Sequence, residues 1–182
     1  MASVITATVA NGLTQSADNS GVLQLASGTG NLVTVPSVTG TAMVSGNMPA
    51  FSAYGTALTS VSNVTFTKLT YATEEFDTNN NYSSSRFTPT VAGYYLITGS
   101  STGTTSGGAG INIFKNGNSF KTGTLMAGNA TDGSYLVASA LIYFNGSTDY
   151  VELYGYQRTG GTISMGSNSQ DFAFQGVLVR TA

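Results

Sequence analysis

Acid–base, nucleophilic and metal chemistry each need particular side chains, and this chain supplies few of them. Its 182 residues include no His, no Cys and no Trp, which removes Ser-His-Asp and Cys-His catalysis, Cys/His zinc sites, thiol redox chemistry and disulfide stapling. Carboxylates, amides and hydroxyls remain. Glu74 and Glu75 are the only adjacent acids. Glycan hydrolysis needs two carboxyl groups facing each other about 5 to 10 Å apart, whereas neighbours on a strand point to opposite faces. Any other pair would have to form from the distant Asp132, Asp149, Glu152 and Asp171, and no spacing selects one. No catalytic residue is assigned, and the chain reads as a non-enzyme.

Asp77-Thr78-Asn79-Asn80-Asn81 opens like a calcium loop, in which alternate oxygen-bearing side chains converge on the ion. The rest of that pattern fails, because Tyr82 stands where the loop needs Gly and Thr88 where it needs a bidentate Glu. A solvated loop is the expectation, as it is for the polar turn at 129–133 that carries Asp132. The glycine-rich stretch 103–110 lacks the Lys-Ser/Thr ending of a phosphate loop and precedes no helical pattern, so it reads as an exposed loop. No metal and no cofactor are expected. With six basic residues against eight acidic ones, nothing here neutralises a phosphate backbone, and nucleic-acid binding is disfavoured.

The elements that would position any site are strands. Ten Tyr, nine Phe and many Val and Ile accompany 23 Gly and abundant Ser, Thr and Asn, while helix formers are scarce, which favours an all-β sandwich. Phe51 to Tyr54, Val64-Thr65-Phe66 and Ser85-Arg86-Phe87 alternate, residues 77–85 form a loop, and Gly93-Tyr94-Tyr95-Leu96-Ile97-Thr98 is a strong strand. Residues 109–114 lead into Asn116-Gly117, a dipeptide suited to a tight hairpin, and then to 119–122. Residues 135–144 are the most informative. Leu136, Ala138, Ala140, Ile142 and Phe144 share one face and Tyr135, Val137, Leu141 and Tyr143 the other, so both faces are apolar and the strand wants a cover on each side. Residues 150–156 repeat the pattern with Tyr150, Tyr154 and Tyr156 outward, and 172–179 close the chain as a central strand.

A boundary is marked by residues 46–49. The preceding arm, residues 1–48, alternates weakly at 3–9 and shows brief apolar runs at 21–25 and 31–35, these two joined by a hairpin connection at 26–30. A segment this short is not stable alone, so association with neighbours is expected to order it. Residues 1–13 have no basic and continuously apolar leader pattern, and no run approaches the roughly 20 apolar residues that span a bilayer. Membrane insertion and export by this sequence are not expected.

Along residues 49–181 the chain resembles the C1q globular domain, a trimerising jelly roll akin to tumour necrosis factor. The resemblance lies in Pro49-Ala50-Phe51-Ser52-Ala53, Tyr82, Phe87-Thr88-Pro89, Gly93-Tyr94-Tyr95, Lys115-Asn116-Gly117, Asp149-Tyr150-Val151 and Phe174-Gln175-Gly176-Val177-Leu178, in that order. It implies a C1q/TNF-like jelly-roll knob over 49–182, assembled as a parallel homotrimer. Ser147-Thr148 departs from the family's residues before the aspartate, and the absence of cysteine and of a collagen-like run sets the chain apart from secreted complement-type proteins. In the arm, Asn19 to Leu25, Gly30 to Pro36 and Thr39-Gly40-Thr41 are similar to short hairpin repeats in structural proteins of tailed bacteriophages.

Together the two resemblances imply a trimeric virion surface appendage. Its arm would dock on capsid or tail proteins, and its knob would serve adhesion to a host surface glycan or decoration of the head. A free extracellular ligand- or glycan-binding module is the alternative. Tyr135, Tyr143, Tyr154 and Tyr156 are the candidate interface residues, with the inward face left open. Ligand contacts are expected on the loops 79–85, 102–110, 128–134 and 158–164, with Tyr82 and Arg158 as the candidates, since an aromatic ring stacks on a sugar and a guanidinium makes paired hydrogen bonds.

Overall fold

A computed structural model describes residues 23–26, 32–35, 48–103, 108–126, 134–166 and 171–182. The chain divides into two compact units, residues 1–42 and 43–182. In the first, β1 (Leu23–Ala26) pairs antiparallel with β2 (Leu32–Val35), Leu23 opposite Val35 and Ala26 opposite Leu32, so the expected hairpin forms. The strand expected at 3–9, and the rest of the arm's proposed docking role, lie outside the described residues.

The second unit is built of β3 (Ala50–Tyr54), β4 (Thr59–Val61), β5 (Thr67–Lys68), β6 (Thr73–Asp77), β7 (Tyr82–Ser83), β8 (Arg86–Phe87), β9 (Gly93–Gly103), β10 (Ala109–Lys115), β11 (Asn118–Met126), β12 (Ser134–Phe144), β13 (Val151–Gln157), β14 (Ile163–Met165) and β15 (Ala173–Thr181). No helix among the described residues is long and apolar enough to cross a membrane. In one sheet β9 is flanked by β12 along its whole length and by β15 on its other edge, β15 carries β3, and β3 carries β6. At its far end β9 meets β14, which holds β4. The second sheet runs β11-β10-β13-β8-β7, with β5 also on β13.

The sheets face each other because each supplies one apolar face to the same core. On β9, Tyr95 and Ile97 turn inward; on β12, Leu136, Ala138, Ile142 and Phe144 do; from the second sheet Ile111, Ile113, Val151 and Leu153 meet them. Gly99 leaves room for a side chain of the facing sheet, since a Cβ there would run into Leu153 Cδ1. Aromatic rings fill one end of the core. Phe51 lies between Tyr82 and Phe87, at 5.0 and 4.2 Å between ring centres, with Phe174 edge-on at 4.9 Å. Buried hydroxyls are paired, as burial demands: Tyr82 donates to the Tyr71 carbonyl at 2.8 Å, and Tyr71 to that of Ser100 at 3.0 Å. Burial pushes the phenols of Tyr71 and Tyr82 up, and that of Tyr95 to about 12.

The Asn116-Gly117 hairpin is present, with φ of 52° and 76° in the left-handed region that such a turn requires. It is tied to the turn before β13. Asn116 Nδ2 donates to Asp149 Oδ1 at 2.7 Å, Tyr150 N donates to Asn116 Oδ1 at 2.9 Å, and Lys115 Nζ lies 2.9 Å from Asp149 Oδ2. Two short motifs 33 residues apart are thus one clamp. Burial raises the Asp149 carboxyl, but the hydrogen bonds from Asn116, Lys115 and Asn145 outweigh it and hold the group below the ordinary aspartate value.

One strand expectation is corrected. Val64-Thr65-Phe66 alternates but is not a strand: Val64 sits at φ 54° and its N–H is taken by the Gln157 carbonyl, so the chain turns there and pairs only at β5. The expected loop at 77–85 also contains the two-residue strand β7, held by Tyr82 opposite Phe87.

Candidate functional site

The outward face of the β9 sheet is apolar where a solvated face would be polar. The same alternation that sends Tyr95 and Ile97 into the core sends Tyr94 and Leu96 out, and on β12 it exposes Tyr135, Val137, Leu141 and Tyr143. Register assembles these into rows. Leu141 is opposite Leu96, and Leu96 opposite Val177 on β15. In the next row Tyr143 is opposite Tyr94, their ring centres 5.5 Å apart. Val179 stands exposed beside them, at the irregularity between Leu178 and Arg180. A polar row crosses the middle: Ser139, Thr98, Gln175 and Ser52 are successive partners. Here Gln175 Nε2 donates to Ser52 Oγ at 3.0 Å, and that hydroxyl donates to Glu75. A groove of about 360 Å³ follows the boundary between the polar and apolar rows, walled by Phe76, Leu96, Gln175 and Val177. Contiguous apolar surface of this kind marks a site of association.

The four tyrosines expected at an interface divide between the two sheets. Tyr135 and Tyr143 belong to this open face. Tyr154 and Tyr156 lie on the outer side of the second sheet, where neighbours already cover part of them: Tyr154 stacks on Phe114 at 3.9 Å, and Phe66 packs 4.8 Å from Tyr156. Beside Tyr154, Glu152 is buried with Lys68 Nζ at 2.7 Å and Arg86 Nε at 2.9 Å on the same oxygen. Burial raises that carboxyl, and the two cations outweigh the effect and hold it below the ordinary glutamate value.

Tyr82, offered as a ligand contact, is corrected. It is 9% exposed, its ring stacks on Phe51 and its hydroxyl is spent on Tyr71, so no ring face is open to a sugar. Arg158 is exposed, lies 5.4 Å above the Tyr156 ring and donates from Nε to its hydroxyl at 3.2 Å. The calcium-like loop closes on itself. Asp77 accepts from the backbone N–H groups of Asn79 at 3.2 Å and Tyr82 at 2.6 Å, and Asn81 holds Thr90. Of the four loops proposed for recognition, 79–85 and 158–164 are seen. Residues 104–107 of the second, and 127–133 of the third with Asp132, lie outside the described residues.

Missing from the sequence reading of this face were Tyr94, Leu96, Val177 and Val179. Their signal was the one used for residues 135–144, apolar side chains on both phases of the alternation, and it was present in Tyr94 to Ile97 and in Val177 to Val179.

No family model matches the sequence, and no curated protein matches it. Solved structures do match. The globular domain of zebrafish complement 1qA protein aligns at a TM-score of 0.55 and 14% identity, covering 74% of this chain and 98% of that one. Murine APRIL at pH 8.0 aligns at 0.58 and 7%, covering 72% and 99%, and Eiger TNF from S. frugiperda at 0.56 and 10%, covering 74% and 93%. Identities this low speak to fold alone. From the β9 sheet to the Asn116–Asp149 clamp, the second unit has the C1q/TNF-like jelly-roll architecture that the ordered motifs implied.

Proposed function

We propose that this chain is a non-enzymatic structural protein of a bacteriophage particle, a homotrimeric surface appendage whose arm docks on capsid or tail proteins and whose knob projects outward. The observation that carries the association is the open apolar face of the β9 sheet. An isolated sheet that left Tyr94, Leu96, Tyr135, Leu141, Tyr143 and Val177 in water would expose a template for aggregation, and closed symmetric association covers it. The particle role is supported by the phage-like repeats of the arm and by a charge-poor composition that relies on hydroxyls and amides for solubility.

Light scattering on the full chain should give the mass of three copies at micromolar concentration; a monomer there would end the reading. Cryo-electron density on phage particles should then place the knob on head or tail. On the head, removing the protein should lower the particle's resistance to heat; on the tail, it should lower adsorption to host cells. An absence from purified particles, with the trimer intact, would leave the free ligand-binding module in its place.

A further inference from the structure

The sheet opposite the open face carries a second feature. Along β13 the outward side chains include Tyr154 and Tyr156, and Arg158 follows. Next to Tyr156 the strands β10 and β11 leave a groove of about 330 Å³ lined by Phe66, Asn112, Thr122, Leu125, Tyr156 and Arg158. That volume falls in the range of small-molecule sites. Asn112 is the unusual member. Its neighbours Ile111 and Ile113 point into the core, so its carboxamide is turned the other way, to the groove. It is only 4% exposed, and its side chain has no hydrogen-bond partner among the described residues. A carboxamide carries two donors and an acceptor, and a buried one left unpaired is the exception in folded proteins.

The surrounding groups define what would pair with it. Phe66 and Tyr156 pack against each other, their ring centres 4.8 Å apart and tilted by 37°, and form one apolar wall of the groove with no slot between them for a flat base. Thr122 contributes a hydroxyl. Arg158 spends one of its donors on the Tyr156 hydroxyl and has no carboxylate partner among the described residues, nor does any carboxylate line the groove. Aromatic faces for ring C–H groups, an amide for neighbouring hydroxyls and a guanidinium for a carboxylate are together the chemistry of an acidic sugar. We propose that this groove binds a carboxylate-bearing pyranose. The wall formed by Phe66 and Tyr156 takes one face of the ring, the Asn112 carboxamide pairs with adjacent hydroxyls, and Arg158 takes the carboxylate. This deepens the adhesion side of the function proposed above by giving it a contact site. Every lining residue comes from one chain, from the sheet away from the open face or the segments next to its strands, so light scattering on the same samples separates a failure of assembly from a failure of the site.

The test uses the full chain against immobilised oligosaccharides of neutral and of uronate- or sialate-bearing pyranoses, with adenosine as a competitor. Wild type should retain at least one acidic pyranose, and adenosine should not displace it. Asn112→Leu, which removes the unpaired amide at nearly constant shape, should weaken binding tenfold or more while leaving Tm at or above that of wild type. Phe66→Ala should weaken it comparably, and Arg158→Gln should erase most of the preference for acidic over neutral sugars. Retention of no pyranose, wild-type binding by Asn112→Leu or by Phe66→Ala, an unchanged preference in Arg158→Gln, displacement by adenosine, or a Tm lowered by Asn112→Leu would each overturn the assignment.

Discussion

Leu96→Lys should break the assembly without breaking the fold. Leu96 lies at the middle of the row Leu141, Leu96, Val177, whose members remain 58%, 41% and 41% exposed in the single chain. Fully burying one such side chain is worth about 1.5–3 kcal/mol, so covering what remains of the three is worth about 2–4 kcal/mol in each protomer. Each 1.4 kcal/mol is about tenfold in an association constant, so this row alone contributes several powers of ten when three copies close. Lysine at 96 forfeits part of that and brings an ammonium from every protomer into apolar surroundings, at several kcal/mol per uncompensated charge. Wild type should scatter as a trimer at micromolar concentration and Leu96→Lys as a monomer with native far-ultraviolet circular dichroism, because the residue faces away from the core. Leu58→Lys is the control: Leu58 is the same residue type and more exposed still, but lies between β3 and β4 outside the rows, and its variant should stay trimeric. A trimeric Leu96→Lys would refute the assignment of this face.

Three further outcomes test the packing. Glu152→Gln should cost about 1.5 kcal/mol at neutral pH, the low end for a charged hydrogen bond, because Lys68 and Arg86 are each partly exposed. The folded carboxyl is held below the ordinary value of 4.5, so its contribution is present above that pH and is lost as pH falls through the folded value; urea midpoints of the two proteins should converge in acid and stay apart at pH 7. Tyr82→Phe leaves the Tyr71 carbonyl without its buried donor and should cost about 1–3 kcal/mol in chemical denaturation, with sugar binding unchanged because the ring is not at a surface site. Gly99→Ala drives a methyl into Leu153 and should cost about 1–3 kcal/mol; combining it with Leu153→Ala should give less than the sum of the two losses, and strict additivity would show that the sheets do not meet there.

The long strands were legible because they carry their own period. Residues 93–98, 135–144 and 150–156 alternate over enough positions to define two faces, and β9, β12 and β13 follow. Several short ones were not. Thr67–Lys68 is a strand only because Tyr154 and Gly155 lie across from it, and no two-residue segment can state a period. Val64 to Phe66 shows the converse: it alternates, yet its backbone is claimed by Gln157, 93 residues on. The Lys115-Asn116-Gly117 and Asp149 motifs could be read as turns one at a time, but the clamp joining them exists only after β10 and β13 have paired.

Which tyrosines stay uncovered was beyond reach for the same reason. Tyr143 and Tyr154 sit in alternations that look alike along the chain, with tyrosines on the outer phase and core side chains on the inner. Their difference lies across the sheet. Tyr143 has Tyr94 opposite it, at a face that no other described residue covers, while Tyr154 has Asn112 opposite, Phe114 stacked on its ring and Lys68 on its other side. Period shows that a strand needs two covers; pairing alone shows which cover is already in the chain. The open face of the β9 sheet is therefore the side that the described residues of one chain leave uncovered and that the proposed assembly would cover, and the groove beside Tyr156 is what the other sheet leaves after covering itself incompletely around Asn112.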